Sequence, residues 1–347
     1  MHTRAATLRD VAEAAGVSTA TASRALQGTR PVRAETQERV LQAARQLNYV
    51  PSTPAQRLGR GASQLARTTA SVGLVLANGD YRFSDPFWSV VREGIEQELA
   101  RHNYHLRFAL TAGDFMQRHH RRLLSPAHID GLILCGGART FLEAIGPTRA
   151  VVLEDDALRW SQPLPLDIVA IEKRRAMYAL VDHLVTLGRH RFAFLGPPVE
   201  VDERAEAFVQ GLARHDLALD PRLHVEPAAW TSEGAYLVAA DLLQRHAAAI
   251  DALVCASDAI AIGALRAAKE CGVRVPADMA LTGFDDIPFA RDLDPALTTV
   301  HVPKGMLGMV AARRLLERLA RPDLEPLIQM VPTTLMVRAS CGATLPR

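Results

Sequence analysis

Twelve histidines and four cysteines are the side chains best equipped for chemistry in this 347-residue chain, and their spacing gives none of them a partner set. Cys135, Cys255, Cys271 and Cys341 are scattered, with no C-x-x-C pair and no nearby histidine ligand set. They read as small buried hydrophobes of a reducing compartment. His119-His120 sits in an arginine-flanked polar stretch, and neither it nor His183, His190 or His301 belongs to an H-E-x-x-H motif. No Walker A sequence occurs, and no G-x-G-x-x-G follows the first strand-like run. The sequence therefore predicts no metal, no cofactor and no enzyme. Arg24 is more informative. It closes the run Thr19-Ala20-Thr21-Ala22-Ser23, whose small side chains let a helix lie deep in a duplex groove. There a guanidinium bonds a guanine edge bidentately, and the methyls of Thr19 or Ala20 meet a thymine methyl. The hydroxyls of Ser18, Thr21 and Ser23 suit phosphates, which position without specifying.

The elements that must present these residues are legible around them. Leu8, Val11, Ala12 and Ala15 fall at i, i+3, i+4 and i+7, the stripe of a short amphipathic helix. Thr7 stands at its N-cap, with Asp10 as a capping-box-like partner. Gly16 breaks the helix, Val17 fills the turn, and Ser18 caps a second helix running to about Leu26. Two short helices joined by such a turn form a helix-turn-helix. Val17, Ala22, Ala25 and Leu26 are expected inside, leaving Thr19, Ala20, Ser23 and Arg24 outside. A third helix, about Ala34 to Leu47, is expected to bury Val40, Leu41, Ala44 and Leu47. Charge agrees with a polyanion partner for this end. Through residue 67 there are ten arginines against four carboxylates, a balance of +6, and beyond it 30 basic against 34 acidic residues, −4.

Residues 51–70, rich in Pro, Gly, Ser, Thr and Arg, have linker composition. From residue 71 onward, apolar strand-like runs alternate with helical ones: Val72–Leu76, Leu106–Leu110, Gly131–Leu134, Val151–Leu153, Ile168–Ile171, Phe192–Leu195, Ala252–Cys255 and Met279–Thr282. Such alternation means parallel sheets with both faces covered. The expected fold class is a small all-α helix-turn-helix headpiece (1–50) followed by an α/β, doubly wound, two-lobed domain (71–347). Its lobes are expected at about 71–166 with 300–325 and about 167–299 with 326–340, the final strand spanning Leu327 to Val337. No run is long and apolar enough for a membrane span and no apolar signal region opens the chain, so a cytoplasmic location is expected.

The string Thr7-Leu8-Arg9-Asp10-Val11-Ala12-Glu13-Ala14-Ala15-Gly16-Val17-Ser18, with Thr19 to Leu26 after it, resembles the headpiece signature of the lactose/galactose repressor family. Arg39-Val40-Leu41 through Leu47-Asn48-Tyr49-Val50-Pro51 resembles that family's third helix and exit. The resemblance continues through Asp85-Pro86-Phe87-Trp88, Arg204 with Phe208, Ser257-Asp258, Val275-Pro276-Ala277-Asp278, Gly283-Phe284-Asp285-Asp286 and Leu297-Thr298-Thr299-Val300. It implies a body folded like periplasmic sugar-binding proteins, a homodimer on a near-palindromic double-stranded DNA operator, and a sugar-like effector between the lobes. The outcome would be repression through promoter occupancy. Thr7, Leu8, Gln27 and Tyr49 join the candidate DNA contacts, and Leu58 matches the residue that wedges into the minor groove from a hinge helix. A plain tether is the other reading of that hinge. The absence of a heptad tail after Val337-Arg338 favours a dimer over a tetramer.

Polyol binding needs fixed donors and acceptors at strand ends and an apolar platform. Arg204 is the candidate donor, Ser257, Asp258 and Asp285 the candidate acceptors, and Phe87, Trp88 and Trp230 the platform. Each has a plainer alternative: Phe87 and Trp88 as core, Asp258 as a helix cap, Arg204 as a surface ion pair with Glu203 and Glu206. Departures from the family fall where ligands are chosen. Ser257 replaces the usual Asn, Glu154-Asp155-Asp156 replaces a stretch that more often ends Asp-Arg, and Glu172-Lys173 replaces Asp-Asn. Asp155 is therefore counted as a candidate contact, and the acidic wall suits a hydroxyl-rich or a cationic effector.

Overall fold

The computed structural model describes residues 7–27, 32–47, 68–77, 82–116, 120–136, 150–153 and 166–344. The chain divides into two compact units between Arg67 and Thr68. Tyr49, Leu58, the rest of the hinge through residue 67, and Asp155 lie outside the described residues.

Among the described residues the first unit holds three helices, α1 (Leu8–Ala14), α2 (Thr19–Gln27) and α3 (Ala34–Gln46). Val11, Ala12, Ala22, Ala25, Val40, Ala43 and Ala44 form its core, with Leu8, Val17 and Leu26 packed against them. Small residues dominate, so the helices approach closely. The expected stripe of α3 needs correction. Leu41 and Leu47 are each 37% exposed, and Ala43 takes the inward place. Val40, Ala43 and Ala44 satisfy the i, i+3, i+4 rule, whereas Leu41 lies about 100° around the helix from Val40.

The second unit has two lobes. In the first, β1 (Ser71–Leu76), β2 (His105–Thr111), β3 (Gly131–Cys135), β4 (Ala150–Leu153), β5 (Asp167–Ile171) and β11 (Ile328–Val331) form one sheet in the order β11-β5-β4-β3-β1-β2. Every pairing in it is parallel. Helices α4 (Pro86–Arg101) and α5 (Ala112–Met116) follow β1 and β2. In the second lobe, β6 (Phe192–Leu195), β7 (His224–Val225), β8 (Ala252–Cys255) and β9 (Ala280–Thr282) lie in the order β7-β6-β8-β9, also parallel. Its helices are α6 (Lys173–Thr186), α7 (Glu203–Ala213), α8 (Ser232–His246) and α9 (Asp258–Glu270). β10 (Thr299–His301) pairs antiparallel with β12 (Thr334–Met336), and α10 (Lys304–Ala320) returns to pack along α4.

The lobe boundaries differ from those expected. Residues 167–171 and 328–331 belong to the first sheet, not the second lobe, because β5 sits in register between β4 and β11. Asp167 fixes that placement: its buried carboxylate accepts from Arg314 Nε and Arg318 Nε of α10, both at 2.8 Å, and from Leu327 N at 3.1 Å. The single last strand is in fact two. Pro332 separates them, having no N–H to continue a ladder. The chain thus crosses between lobes three times, after β5, between β10 and α10, and between β11 and β12.

Candidate DNA interface and ligand cleft

Thr7 and Asp10 close the capping box of α1. Thr7 N and Thr7 Oγ1 each donate to Asp10 Oδ2 at 2.7 Å, and Asp10 N donates to Thr7 Oγ1 at 3.4 Å. Gly16, at φ +63°, supplies the left-handed residue that ends the helix. Ser18 Oγ then accepts from Thr21 N at 3.1 Å and lies 2.9 Å from Thr21 Oγ1. Those two hydroxyls, expected at phosphates, also serve to start α2. With Ala22 and Ala25 buried beneath, Ser18, Thr19, Ala20 and Arg24 are exposed and Ser23 is half-buried. No acid occupies the first turn of α2, so its N-terminal N–H groups and dipole face outward uncancelled by a carboxylate of that turn. Leu8 is half-buried against the core, and the Gln27 backbone ends α2.

In the second unit six of the residues expected to meet an effector come from both lobes and line one cleft of about 650 Å³, its open mouth included. Phe87 and Trp88 enter from the first turn of α4. Trp230 comes from the approach to α8, Arg204 from α7, Ser257 from the cap of α9, and Asp285 from the loop after β9. Phe87 and Trp88 meet edge to face at 5.0 Å. Trp88 also belongs to the core, as its plainer alternative had it, while lining the cleft. The cleft further takes in Asp85, Pro86, Ile171, Ala259 and Ile287. Asp85 and Pro86 stand inside a motif already read, while the apolar residues carry no sequence signal beyond their place at element ends. Asp85 Oδ1 caps α4 by accepting from Phe87 N at 2.7 Å.

Asp258 does not line the cleft, which corrects its assignment as an effector contact. Fully buried, it shares a 2.5 Å hydrogen bond with Thr299 Oγ1 and accepts from Ile287 N at 2.8 Å. It braces the start of α9 against the Asp285–Ile287 loop and the crossing strand β10. Ser257, not Asp258, supplies the capping oxygen of α9. Burial pushes the Asp258 carboxyl up to about 7; the Thr299 and Ile287 hydrogen bonds oppose this, and neighbouring Asp286 adds to it.

Arg204 is no surface ion pair with Glu203 and Glu206, which instead meet Arg174 at 3.4 and 3.6 Å. Asp202, the N-cap of α7, holds Arg204 through Nε at 3.2 Å and Nη2 at 2.8 Å, and Nη1 donates to Ala256 O at 3.1 Å. The guanidinium lies 4.7 Å from the Trp230 ring centroid and 5.5 Å from that of Phe284. Burial disfavours the Asp202 carboxylate, but Arg204 and the more distant Lys173 outweigh it and hold the group well below the usual carboxylate range. Behind Asp285 sits buried Lys304, the first residue of α10. Its ammonium donates to Asp285 O at 2.5 Å, Asp286 O at 3.0 Å and Val302 O at 3.1 Å, and lies 6.0 Å from the Phe87 ring. Asp285 and Asp286 both have positive φ, 113° and 53°. Asp286 is tied within the protein: Arg338 Nη2 donates to it at 2.6 Å and His301 Nδ1 lies at 2.9 Å. No group of three His, Cys, Asp or Glu suited to a metal occurs among the described residues, nor does any helix there long and apolar enough to cross a membrane.

Fold and site together define a regulator with a DNA-reading headpiece and a two-lobed ligand receptor. Residues 7–52 match the bacterial regulatory proteins of the lacI family, and residues 181–341 match the periplasmic binding protein-like domain. The ribose operon repressor of Haemophilus influenzae is 30% identical over 342 residues, covering 96% of this chain and 98% of that protein. A PurR transcriptional repressor of the same species is 30% identical over 92% of each chain. Among solved structures, the lac repressor dimer bound to operator and the anti-inducer ONPF superposes with a TM-score of 0.79 at 25% identity, covering 98% of this chain and all of that one. A CelR–cellobiose complex gives 0.69 at 26% identity, covering 96% and 99%. The chain belongs to the lacI family of bacterial regulatory proteins. It is a DNA-binding transcriptional regulator with a small-molecule receptor domain.

Proposed function

We propose that this chain represses transcription as a homodimer whose two α2 helices read the half-sites of a near-palindromic operator, under the control of a sugar-like effector held in the inter-lobe cleft. Arg24, Thr19 and Ala20 contact bases, while Ser18, Thr21, Ser23 and the N-terminus of α1 around Thr7 and Leu8 hold the backbone. Gln27, Tyr49 and Leu58 complete the DNA contacts on the strength of the family resemblance. In the cleft, Phe87, Trp88 and Trp230 supply the platform, and Arg204, Ser257 and Asp285 the polar groups; Asp155 remains a proposed contact from sequence alone. The observation that carries the reading is the cleft itself: aromatic and polar side chains from both lobes meet there, so one ligand touches both and changes their angle. The relatives support the chemistry, since a ribose operon repressor and a CelR–cellobiose complex are among them. The polar groups make a receptor and not a catalyst, and the working place of such a regulator is the cytoplasm.

The test begins with selection of bound sequences from random DNA, followed by titration of Arg24→Ala. Loss of one bidentate contact should cost about 1–3 kcal/mol on the selected operator and relax preference at one base position. Equal losses on operator and random DNA would remove Arg24 as a base reader. A thermal-shift series with sugars then addresses the cleft, because a ligand at one hundred times its Kd stabilises by about 2.7 kcal/mol.

A further inference from the structure

Among the described residues, the one cation that lines the cleft is already answered within the protein. Arg204 is the only cationic side chain in the lining among the described residues, and Asp202 neutralises it at two nitrogens. The pair is deeply enclosed, with side chains 6% and 5% exposed. Asp202 is also fixed from behind. Its Oδ1 accepts from Arg204 N at 2.8 Å and Ala205 N at 3.3 Å as the cap of α7, so it cannot swing away and yield the guanidinium to a ligand. The acidic side chains of the lining among the described residues are Asp85 and Asp285. The first sits at the N-terminus of α4, where the dipole favours a negative charge, and the second faces the field of Lys304. Among the described residues a ligand carboxylate or phosphate would meet two carboxylates and one compensated arginine, and would lose its hydration without a new partner from them. A hydroxyl suffers none of this, since it donates to carboxylates and stacks its C–H face on the aromatic rings.

We infer that Asp202 is a specificity-determining residue: by compensating Arg204 it opens the cleft to neutral polyhydroxylated ligands and rejects their acid and phosphate derivatives. The inference rests on the reading of the cleft as a polyol site. Asp202 acts through Arg204, so it is a positioning residue with respect to the ligand. Asn at this position keeps the capping oxygen and the side-chain shape while removing the charge, and the arginine then regains an anion-binding role.

The test is isothermal titration calorimetry on the full chain with matched ligands: D-ribose against D-ribose 5-phosphate, and D-glucose against D-glucuronate and D-glucose 6-phosphate. For the wild type, at least one neutral sugar should bind and its anionic derivatives should bind at least tenfold more weakly. In Asp202→Asn the ratio of anion to parent affinity should rise at least tenfold. An anionic member that binds wild type as tightly as its parent, or an Asp202→Asn ratio that stays put, overturns the inference and leaves the polyol site standing. A wild type that binds no member of either series overturns the polyol reading and this inference with it. Should Asp202→Asn fail to fold by circular dichroism, Asp202→Ser, also a strong cap without charge, carries the same comparison.

Discussion

At the scale of single residues, the second lobe uses two buried aspartates in opposite ways. Asp202 is held ionised by a partner that reaches it at two nitrogens, whereas Asp258 has only neutral donors within hydrogen-bond reach and is pushed up to about 7. The sign of the pH dependence follows. Between its unfolded value and about 7 the native state holds the Asp258 proton that the unfolded chain has released. This group therefore favours folding at acid pH and opposes it increasingly as pH rises through that window. Asn at this position mimics the protonated acid, accepting from Ile287 N with its oxygen and donating to Thr299. Asp258→Asn should gain stability relative to wild type by about 1–3 kcal/mol between pH 5 and pH 8. The measurement is the difference in denaturation midpoints at the two pH values. A difference independent of pH would mean that Asp258 stays ionised when buried. The sequence pointed to Asp258 because Asp before a helix suits both a cap and a ligand. It did not show that Thr299, forty-one residues on, turns the carboxylate inward. Residues such as Arg204, Trp230 and Asp285 were legible because large or charged groups at strand ends have few other reasons to be there.

At the scale of elements, strands buried on both faces announce themselves as unbroken apolar runs, and β6 and β8 begin and end where those runs do. Sheet membership is not local information. Nothing within Ile168–Ile171 says that it pairs with Ala150–Leu153 and Ile328–Val331, and Asp167 finds its two arginines more than 140 residues later. Helix contacts are equally hidden until a glycine exposes them. α10 crosses α4 so closely that a Cβ on Gly308 would stand 2.1 Å from Val91 O and 2.9 Å from Ile95 N. Both are backbone atoms and neither can move aside without moving the helix. Gly308→Ala should therefore destabilise the first lobe by about 2–4 kcal/mol, seen as a lower denaturation midpoint. Gly305, one turn earlier on the same helix, has nothing within 4 Å of its would-be Cβ. Gly305→Ala should be neutral or stabilise by up to about 1 kcal/mol, through helix propensity alone. Equal effects of the two substitutions would show that propensity and not the crossing sets the requirement for glycine.

At the scale of the whole molecule, the question is how a ligand between two lobes alters anything beyond the cleft. A ligand shifts an equilibrium only by its differential affinity for the two states, so some contact must differ between the open and closed arrangements. Three chain crossings alone make a permissive hinge. Lys304 adds a polar tie across it, from the first residue of α10 in the first lobe to the carbonyls of Asp285 and Asp286 in the second. An ammonium at a helix N-terminus is opposed by the dipole and by burial, so its place there has to be supported by those acceptors and by the nearby carboxylates. Asp285 lines the cleft and accepts from Lys304 with its carbonyl, and α10 carries any displacement along α4, whose first turn also lines the cleft. Lys304→Met keeps the length of the side chain and cuts the tie. Allosteric couplings are typically about 5- to 150-fold in affinity. In Lys304→Met the ratio of operator Kd values with and without the bound sugar should fall towards one, while discrimination between operator and random DNA, which belongs to α2, should persist. The check is operator titration by fluorescence anisotropy with and without the sugar that gives the largest thermal shift on wild type. A variant that keeps the full ratio would place the coupling in the crossing strands and leave Lys304 a local support for the Asp285–Asp286 turn.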